Sequence, residues 1–210
     1  MIFSDFQTLF TNWLNRSDLD APTMNIIIDR ALARVNREAR LTGMERTYTP
    51  AADQPDGTWL NIAIPTDFIA MEYFLADGRT IDPCTLGQVL RMPNVAGPPR
   101  GFARQGGYWQ LRPRATQNVT VIYYGQFDPL VNPTDTNALL AAAPEVLLWA
   151  ALSYAGDFFK MEETATWEQR YQDELSKLQQ QSQDADFFAS PQGVVPAHMG
   201  TDGFCAYPDW

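Results

Sequence analysis

The sequence predicts an α+β protein, mainly an α-helical bundle with an inserted small antiparallel β domain and an extended C-terminal arm. Apolar residues recur at spacings of three and four early and late in the chain, which is typical of amphipathic helices. Between these regions lie short β-branched and aromatic segments punctuated by glycine and proline. We therefore assign 1–44 plus 128–185 to the bundle, 45–127 to the β domain and 186–210 to the arm.

Two helices are expected before the β region. Ser4 can cap the first, which continues to Trp13, and Pro22 stands at a favoured first position of the second, which ends by Gly43. Their apolar stripes are Phe6, Leu9, Phe10, Trp13 and Leu14, and Met24, Ile27, Ile28, Ala31, Val35 and Ala39. The helical period also places three basic residues of the second helix, Arg30, Arg34 and Arg37, on one ridge.

The middle of the chain has the pattern of short antiparallel strands. The strand candidates are 59–64, 69–75, 102–104, 108–112 and 119–124. Asp77-Gly78 is a strong hairpin signal, and Gly106-Gly107 marks a second turn. Because proline cannot donate to a strand ladder, a long central strand is ruled out in the region that contains Pro93, Pro98 and Pro99.

Helical periodicity returns after residue 135. A short helix opens at Asn137, and the next runs from 145 to about 159. Its segment 146–152 is apolar nearly all round, so its own fold or a neighbouring subunit must enclose it. The last helix, 162–183, has a narrow stripe of Thr164, Trp167, Tyr171, Leu175 and Leu178. Its exterior is acidic and includes Glu163, Asp173 and Glu174, which a solvated helix face explains better than a carboxylate dyad does.

The C-terminal arm lacks periodicity but is rich in large apolar residues. These are Phe187, Phe188, Val194, Val195, Phe204, Tyr207 and Trp210. Because disordered tails are normally poor in aromatic residues, such a segment indicates an arm that lies in grooves on another chain. Packing back onto its own domain explains the composition equally well, and both interpretations stay open here.

Charge is divided unevenly along the chain. The net charge is -10, yet the first 126 residues carry 12 basic and 12 acidic side chains, whereas the last 84 carry 3 basic and 13 acidic ones. An acidic segment of this kind does not bind nucleic acid by counterion release. The arginine ridge therefore has three interpretations: a solvated face, a DNA contact, or a partner for the acidic last helix of an adjacent copy.

Residues suited to catalysis or metal binding are scarce. His198 is the single histidine, and Cys84 and Cys205 lie far apart, so one chain cannot assemble a tetrahedral zinc site. The sequence has no Walker loop, no dinucleotide-binding glycine motif and no nucleophile elbow. We therefore expect no catalytic residues, no cofactor and no metal. The start of the chain lacks a basic signal-peptide region, and no stretch predicts a membrane span.

Several short sequence segments, taken in order, resemble those of one protein family. They are residues 13–19 followed by 28–38, then 64–69, then 99–102 with 111–113 and 121–124, and finally 137–140 with 143–152. Their order and spacing cover most of residues 14–178, and they resemble the bacteriophage head-to-tail adaptor proteins of the SU10 type.

The resemblance implies a structural role in the virus particle. It implies a ring of twelve copies in the neck of the virion that joins the portal protein to a tail nozzle or tail tube, with DNA passing through the lumen without sequence-specific binding. Such a protein is made in the bacterial host cytoplasm. In this arrangement we expect the arm residues to bind the portal, and Arg30, Arg34, Arg37, Glu163, Asp173 and Glu174 to form the subunit interface.

Two alternatives remain at this point. Another neck ring, a stopper or a terminator, would have similar composition. A tail-associated glycan hydrolase would need paired carboxylates, for which Asp67, Glu72 and Asp77 are the candidates in the β domain.

Overall fold

The computed structural model describes residues 1–16 and 18–189, with side chains up to residue 184. The described residues form an α+β protein, as the sequence predicts, with six α-helices and two antiparallel sheets. The helices are α1 (Phe3–Leu14), α2 (Ala21–Glu38), α3 (Leu86–Arg91), α4 (Ala138–Ala142), α5 (Pro144–Phe159) and α6 (Thr164–Ala189). The strands are β1 (Glu45–Tyr48), β2 (Trp59–Ala63), β3 (Phe68–Ala76), β4 (Arg79–Thr80), β5 (Gly101–Gln105), β6 (Tyr108–Ala115) and β7 (Val119–Gly125). With this much sheet, the expectation of a mainly helical bundle is not confirmed.

The first two helices begin differently. Ile2 is the N-cap residue of α1 and makes no side-chain cap, so Ser4, the predicted cap, lies inside the helix. The N-cap of α2 is Asp20, whose carboxylate accepts a hydrogen bond from the Thr23 amide at 3.4 Å, and Pro22 stands in the first turn. The predicted stripe of α2 is buried at Ile27, Ile28, Ala31 and Val35, with Ala39 buried at its C-cap.

Helix α5 is the centre of the helical part. Its apolar surface is covered by α1, α2, α4 and α6 of the same chain, and ten of its sixteen residues are buried. Gly156 allows the closest approach of α6, because a Cβ there would meet the hydroxyl of Thr164 and stand 3.0 Å from the Trp167 ring. The sequence left open whether the chain itself or a neighbour encloses this helix, and the chain itself does.

The strands form two sheets, with orders β1-β7-β3-β4 and β2-β6-β5. The predicted Asp77-Gly78 turn connects β3 and β4, and both residues have positive φ, 55° and 73°, as a type I′ hairpin requires. The sheets pack face to face over aromatic residues. Phe74 of β3 stacks on Phe102 of β5 at 4.4 Å, and Phe68 meets Trp109 edge-on at 5.0 Å.

Buried apolar residues fall into two clusters. The larger joins α1, α2, α4, α5 and α6, and includes Phe127 and Leu130 from the segment that follows β7. The smaller lies between the two sheets. The helices before and after the sheets therefore share one core, while the sheets enclose another.

Besides the cap of α1, several features differ from the sequence-based expectation. Helix α2 ends at Glu38, with Ala39 as its C-cap, and not at Gly43. Strand β1 and helix α3 were not predicted, and α6 continues to Ala189. The last difference corrects the start of the arm, because residues 186–189 belong to the final turn of a helix. The remainder of the predicted arm, 190–210, lies outside the described residues.

Candidate assembly surfaces

A polar cluster fixes α6 against α2 and α5. The guanidinium of Arg34 donates to Glu168 at 2.7 Å and to Glu38 at 2.9 Å, and it lies over the Tyr171 ring at 4.3 Å. The Ser153 hydroxyl of α5 also donates to Glu168, at 2.8 Å, while the Tyr171 hydroxyl donates to Glu38 at 2.7 Å. Three helices are thus connected by a set of hydrogen bonds in which both carboxylates have partners.

The pKa values of this cluster follow from those contacts. Hydrogen bonding from Arg34 lowers the pKa of Glu168 to about 2, and the Glu168 carboxylate in turn raises the pKa of Arg34 above its usual value. Burial, followed by the hydrogen bond to Glu38, raises the pKa of Tyr171 well above its usual value. At neutral pH Arg34 is therefore a guanidinium ion, Glu168 a carboxylate and Tyr171 a neutral phenol.

The predicted arginine ridge divides into two parts. Arg34 is turned toward α6, and its side chain is 15% exposed in the contacts above. Arg30 and Arg37 are exposed, and neither side chain has a hydrogen bond or ion pair with any of the described residues. Only the outer two arginines therefore offer free guanidinium groups to another molecule.

The acidic candidates lie on α6 and just before it. Glu163 and Asp173 are exposed, while Glu174 is partly buried and accepts a hydrogen bond from Lys177 at 2.8 Å. The residue of α6 that forms an ion pair with Arg34 is Glu168, which the sequence did not identify as a candidate. A signal existed, since Glu168 lies on the α6 stripe between Thr164 and Tyr171, but only the fold could show which helix faces it.

Exposed aromatic residues gather where α1 ends and α5 meets α6. Trp13 is 47% exposed and packs edge-on against Trp149 at 5.0 Å, and the guanidinium of Arg170 lies over the Trp149 ring at 4.7 Å. Arg16 lies over Phe159 at 4.3 Å, and the neighbouring Phe158 is 62% exposed. Tryptophan and arginine are the residue types that contribute most to protein–protein binding.

A groove runs between α2 and the sheet that contains β3. It has a volume of about 690 Å³ and is lined by α2, by the start of β3 and by residues 126–131. The two cores meet at its base, where the buried Asn36 side chain accepts a hydrogen bond from the Phe127 amide at 3.0 Å. We call this feature the α2 groove.

A second polar contact ties the base of the sheet to the segment that leads back to the helices. Arg46 contacts Asp67 at 3.2 Å and Asp128 at 3.0 Å, and the Tyr123 hydroxyl donates to Asp67 at 3.0 Å. Burial and the hydrogen bond to Asp67 raise the pKa of Tyr123 to about 12. Asp67 is thus engaged in a structural contact.

The predicted arm residues are described only in part. Phe187 and Phe188 belong to the last turn of α6, without described side chains. Val194, Val195, Phe204, Tyr207 and Trp210 lie outside the described residues, so their assignment to portal binding stays a prediction.

The geometry of the carboxylate candidates does not suit glycoside hydrolysis. Asp67 precedes and Asp77 follows the nine-residue strand β3, which separates them by roughly 30 Å. Glu72, near the middle of the strand, is therefore roughly 15 Å from each, whereas glycosidases place their two carboxyl groups about 5–9.5 Å apart. In the described part of the chain no group of three or more His, Cys, Asp or Glu side chains could hold a metal ion. No helix within the described ranges is long and apolar enough to cross a membrane.

Exposed aromatic and arginine side chains on a completed core are typical of a structural protein that works by contact with other proteins. Residues 1–195 match the family model of the SU10 adaptor protein, and the chain therefore belongs to this family of phage head-to-tail adaptors. Its place is accordingly the neck of the virion, where adaptors contact portal and tail proteins, and the role of the family is structural rather than enzymatic. A search of curated proteins finds no match.

Proposed function

We propose that twelve copies of the chain form a ring that joins the portal protein to the tail nozzle or tail tube and surrounds the DNA channel. Family membership supports this proposal, and the surface contributes one specific observation. The free guanidinium groups of Arg30 and Arg37 lie on α2, whereas the exposed carboxylates of Glu163 and Asp173 belong to the α6 region. A ring needs two different, complementary surfaces on each subunit, and the opposite charges of these two surfaces support such an arrangement.

In this proposal Arg34 has a supporting role at the interface. Its guanidinium is held by Glu168 and Glu38 of the same chain, so it fixes α6 beside α2 and thereby sets the spacing between the two charged surfaces. Glu174 is partly engaged by Lys177 and stands at the edge of the acidic surface. The acidic excess of the last 84 residues would let DNA pass a lumen lined by them without adhering.

The oligomeric state tests the ring. We expect the purified chain to be a monomer or a small oligomer in mass photometry, and to form rings when purified portal protein is added. Charge reversal of both free arginines, Arg30→Glu with Arg37→Glu, should reduce ring formation because like charges would then face each other. A second reversal, Glu163→Arg with Asp173→Arg, should restore it. No ring in the presence of portal, or no effect of the first reversal, would contradict the proposal, whereas a stable ring without portal would contradict only the expectation that assembly waits for portal.

We further propose that the arm docks on the portal. A chain that ends at Ala189 keeps all of α6 and every described contact of the helical core. We expect this truncated chain to co-sediment with portal at least ten-fold less well than the full chain, because three of the aromatic residues that would anchor it, Phe204, Tyr207 and Trp210, are removed. Equal co-sedimentation of the two chains would show that the portal contacts lie elsewhere.

A further inference from the structure

The α2 groove has a largely apolar lining. Leu32 and Phe127 form its floor and are already buried, at 5% and 6% exposed, while Phe68 and Ile69 of β3 line its opposite side and are half-buried. At its rim Val131 is 71% exposed, more than any other large apolar residue among those described. Because the rim and the β3 side leave apolar surface in water, the groove is suited to an apolar or aromatic side chain.

The charges of the groove favour an acidic ligand. Arg37 lines the groove and has no partner in the described part of the chain, and Arg40 donates only to main-chain carbonyls at the end of α2. Among the described residues Asp29 is the one carboxylate that lines the groove, and it stands eight residues before Arg37, or roughly 12 Å along the helix. The end of the groove near Arg37 and Arg40 is therefore basic.

The C-terminal residues of the same chain have the complementary composition. Residues 190–210 contain no Lys or Arg, and they include Asp202, Asp209 and three aromatic residues, Phe204, Tyr207 and Trp210. Their composition matches both the basic end and the apolar floor of the groove.

The C-terminal residues also start close enough to reach it. The Thr42 amide, two residues beyond Arg40, donates to the Ser182 hydroxyl of α6 at 2.9 Å, so the basic end of the groove lies beside this part of α6. Residues 183–189 extend α6 by about 10 Å beyond Ser182, and the 21 residues that follow can span up to roughly 70 Å.

We propose that residues 190–210 of the unassembled chain occupy the α2 groove of the same chain, with an aspartate carboxylate at Arg37 and an aromatic side chain on the floor. A tethered segment acts at an effective concentration in the millimolar range, which favours the chain's own segment over that of a second copy. The same aromatic residues cannot lie in the groove and bind another protein at once. Occupation of the groove thus limits binding by the C-terminal segment until a competing partner is present, and it does so whether or not the assembled state is a ring.

Chemical cross-linking of the full chain tests this proposal. In a Cys84→Ser background Cys205 is the only remaining thiol. A second thiol is then introduced by Ala33→Cys, at an exposed position that lines the groove, or by the control Ala21→Cys, at an exposed position at the start of the same helix. With a bismaleimide that spans about 10 Å, we expect a link within one chain, identified by peptide mass, on the order of five-fold more abundant for Ala33→Cys than for the control.

Two further measurements separate occupation of the groove from chance encounter. Adding Arg37→Glu should reduce the link at position 33 to the level of the control, whereas Arg79→Glu, at an exposed position of β4 outside the groove, should leave it unchanged. Raising the salt concentration to 1 M should also reduce it, since the Debye length falls to about 3 Å. Equal yields at the two positions, insensitivity to Arg37→Glu, or links that join two chains would each overturn the proposal, the last by showing that a second copy occupies the groove.

Discussion

The contact between Arg34 and Glu168 allows a quantitative test of how α6 is held. We expect Glu168→Gln to lower the free energy of unfolding at pH 7 by about 1 to 2 kcal/mol. Arg34 lowers the pKa of Glu168 from 4.5 to about 2, and a difference of that size between the unfolded and folded states corresponds to roughly 3 kcal/mol. Because the Glu168 side chain is 36% exposed, solvent screening reduces the effect to the smaller figure.

The pH dependence distinguishes a charge effect from a packing effect. The folded-state pKa of Glu168 lies below the unfolded value, so its stabilisation is complete above about pH 4.5 and is lost as the pH falls toward 2. Urea unfolding followed by circular dichroism should therefore show the difference between wild type and Glu168→Gln at pH 7, and little of it at pH 2.5. The matched control, Glu162→Gln at an exposed position, should change stability by less than about 0.5 kcal/mol at both pH values. An equal difference at pH 7 and pH 2.5 would refute the electrostatic explanation.

Two other substitutions test the packing of the helices and the connection between the cores. Gly156→Ala should lower the free energy of unfolding in urea by about 1 to 3 kcal/mol, since its Cβ would stand 3.0 Å from the Trp167 ring. The control Gly87→Ala, whose Cβ would have nothing within 4 Å, should be neutral or slightly stabilising. Equal effects of the two substitutions would contradict the close approach of α6 to α5. Asn36→Ala leaves the Phe127 amide without its acceptor and should lower the free energy of unfolding by about 1 to 3 kcal/mol. Hydrogen exchange at that amide should become faster. Unchanged exchange there would show that the hydrogen bond does not persist in solution.

The elements that the sequence predicted are those with a strong local signal. The apolar stripe of α2 and the Asp77-Gly78 turn depend on periodicity and backbone conformation within a few residues, and the structure confirms both. Helix α3 also has a local signal in the sequence, since Thr85 and Gln88 form a capping box at its start. Strand β1 has none, since its four residues are mostly polar and it forms only by pairing with β7, some 75 residues later.

The candidate surfaces were less predictable because they depend on which helices meet. Residue types and spacing identified the basic residues of α2 and the acidic residues of α6. They could not show that Arg34 is held within its own chain by Glu168, since the two residues are 134 positions apart in sequence. Nor could they reveal the α2 groove, which forms only where the helical core meets the sheet at Phe127.

The burial of most of α5 by its own chain has a consequence for the timing of assembly. Obligate oligomers often have no stable folded monomer, because each subunit leaves part of its core for a neighbour to cover. Here ten residues of α5 are buried by other segments of the same chain. Folding can therefore finish on each newly made polypeptide, and a reserve of ready subunits can accumulate before any particle needs them.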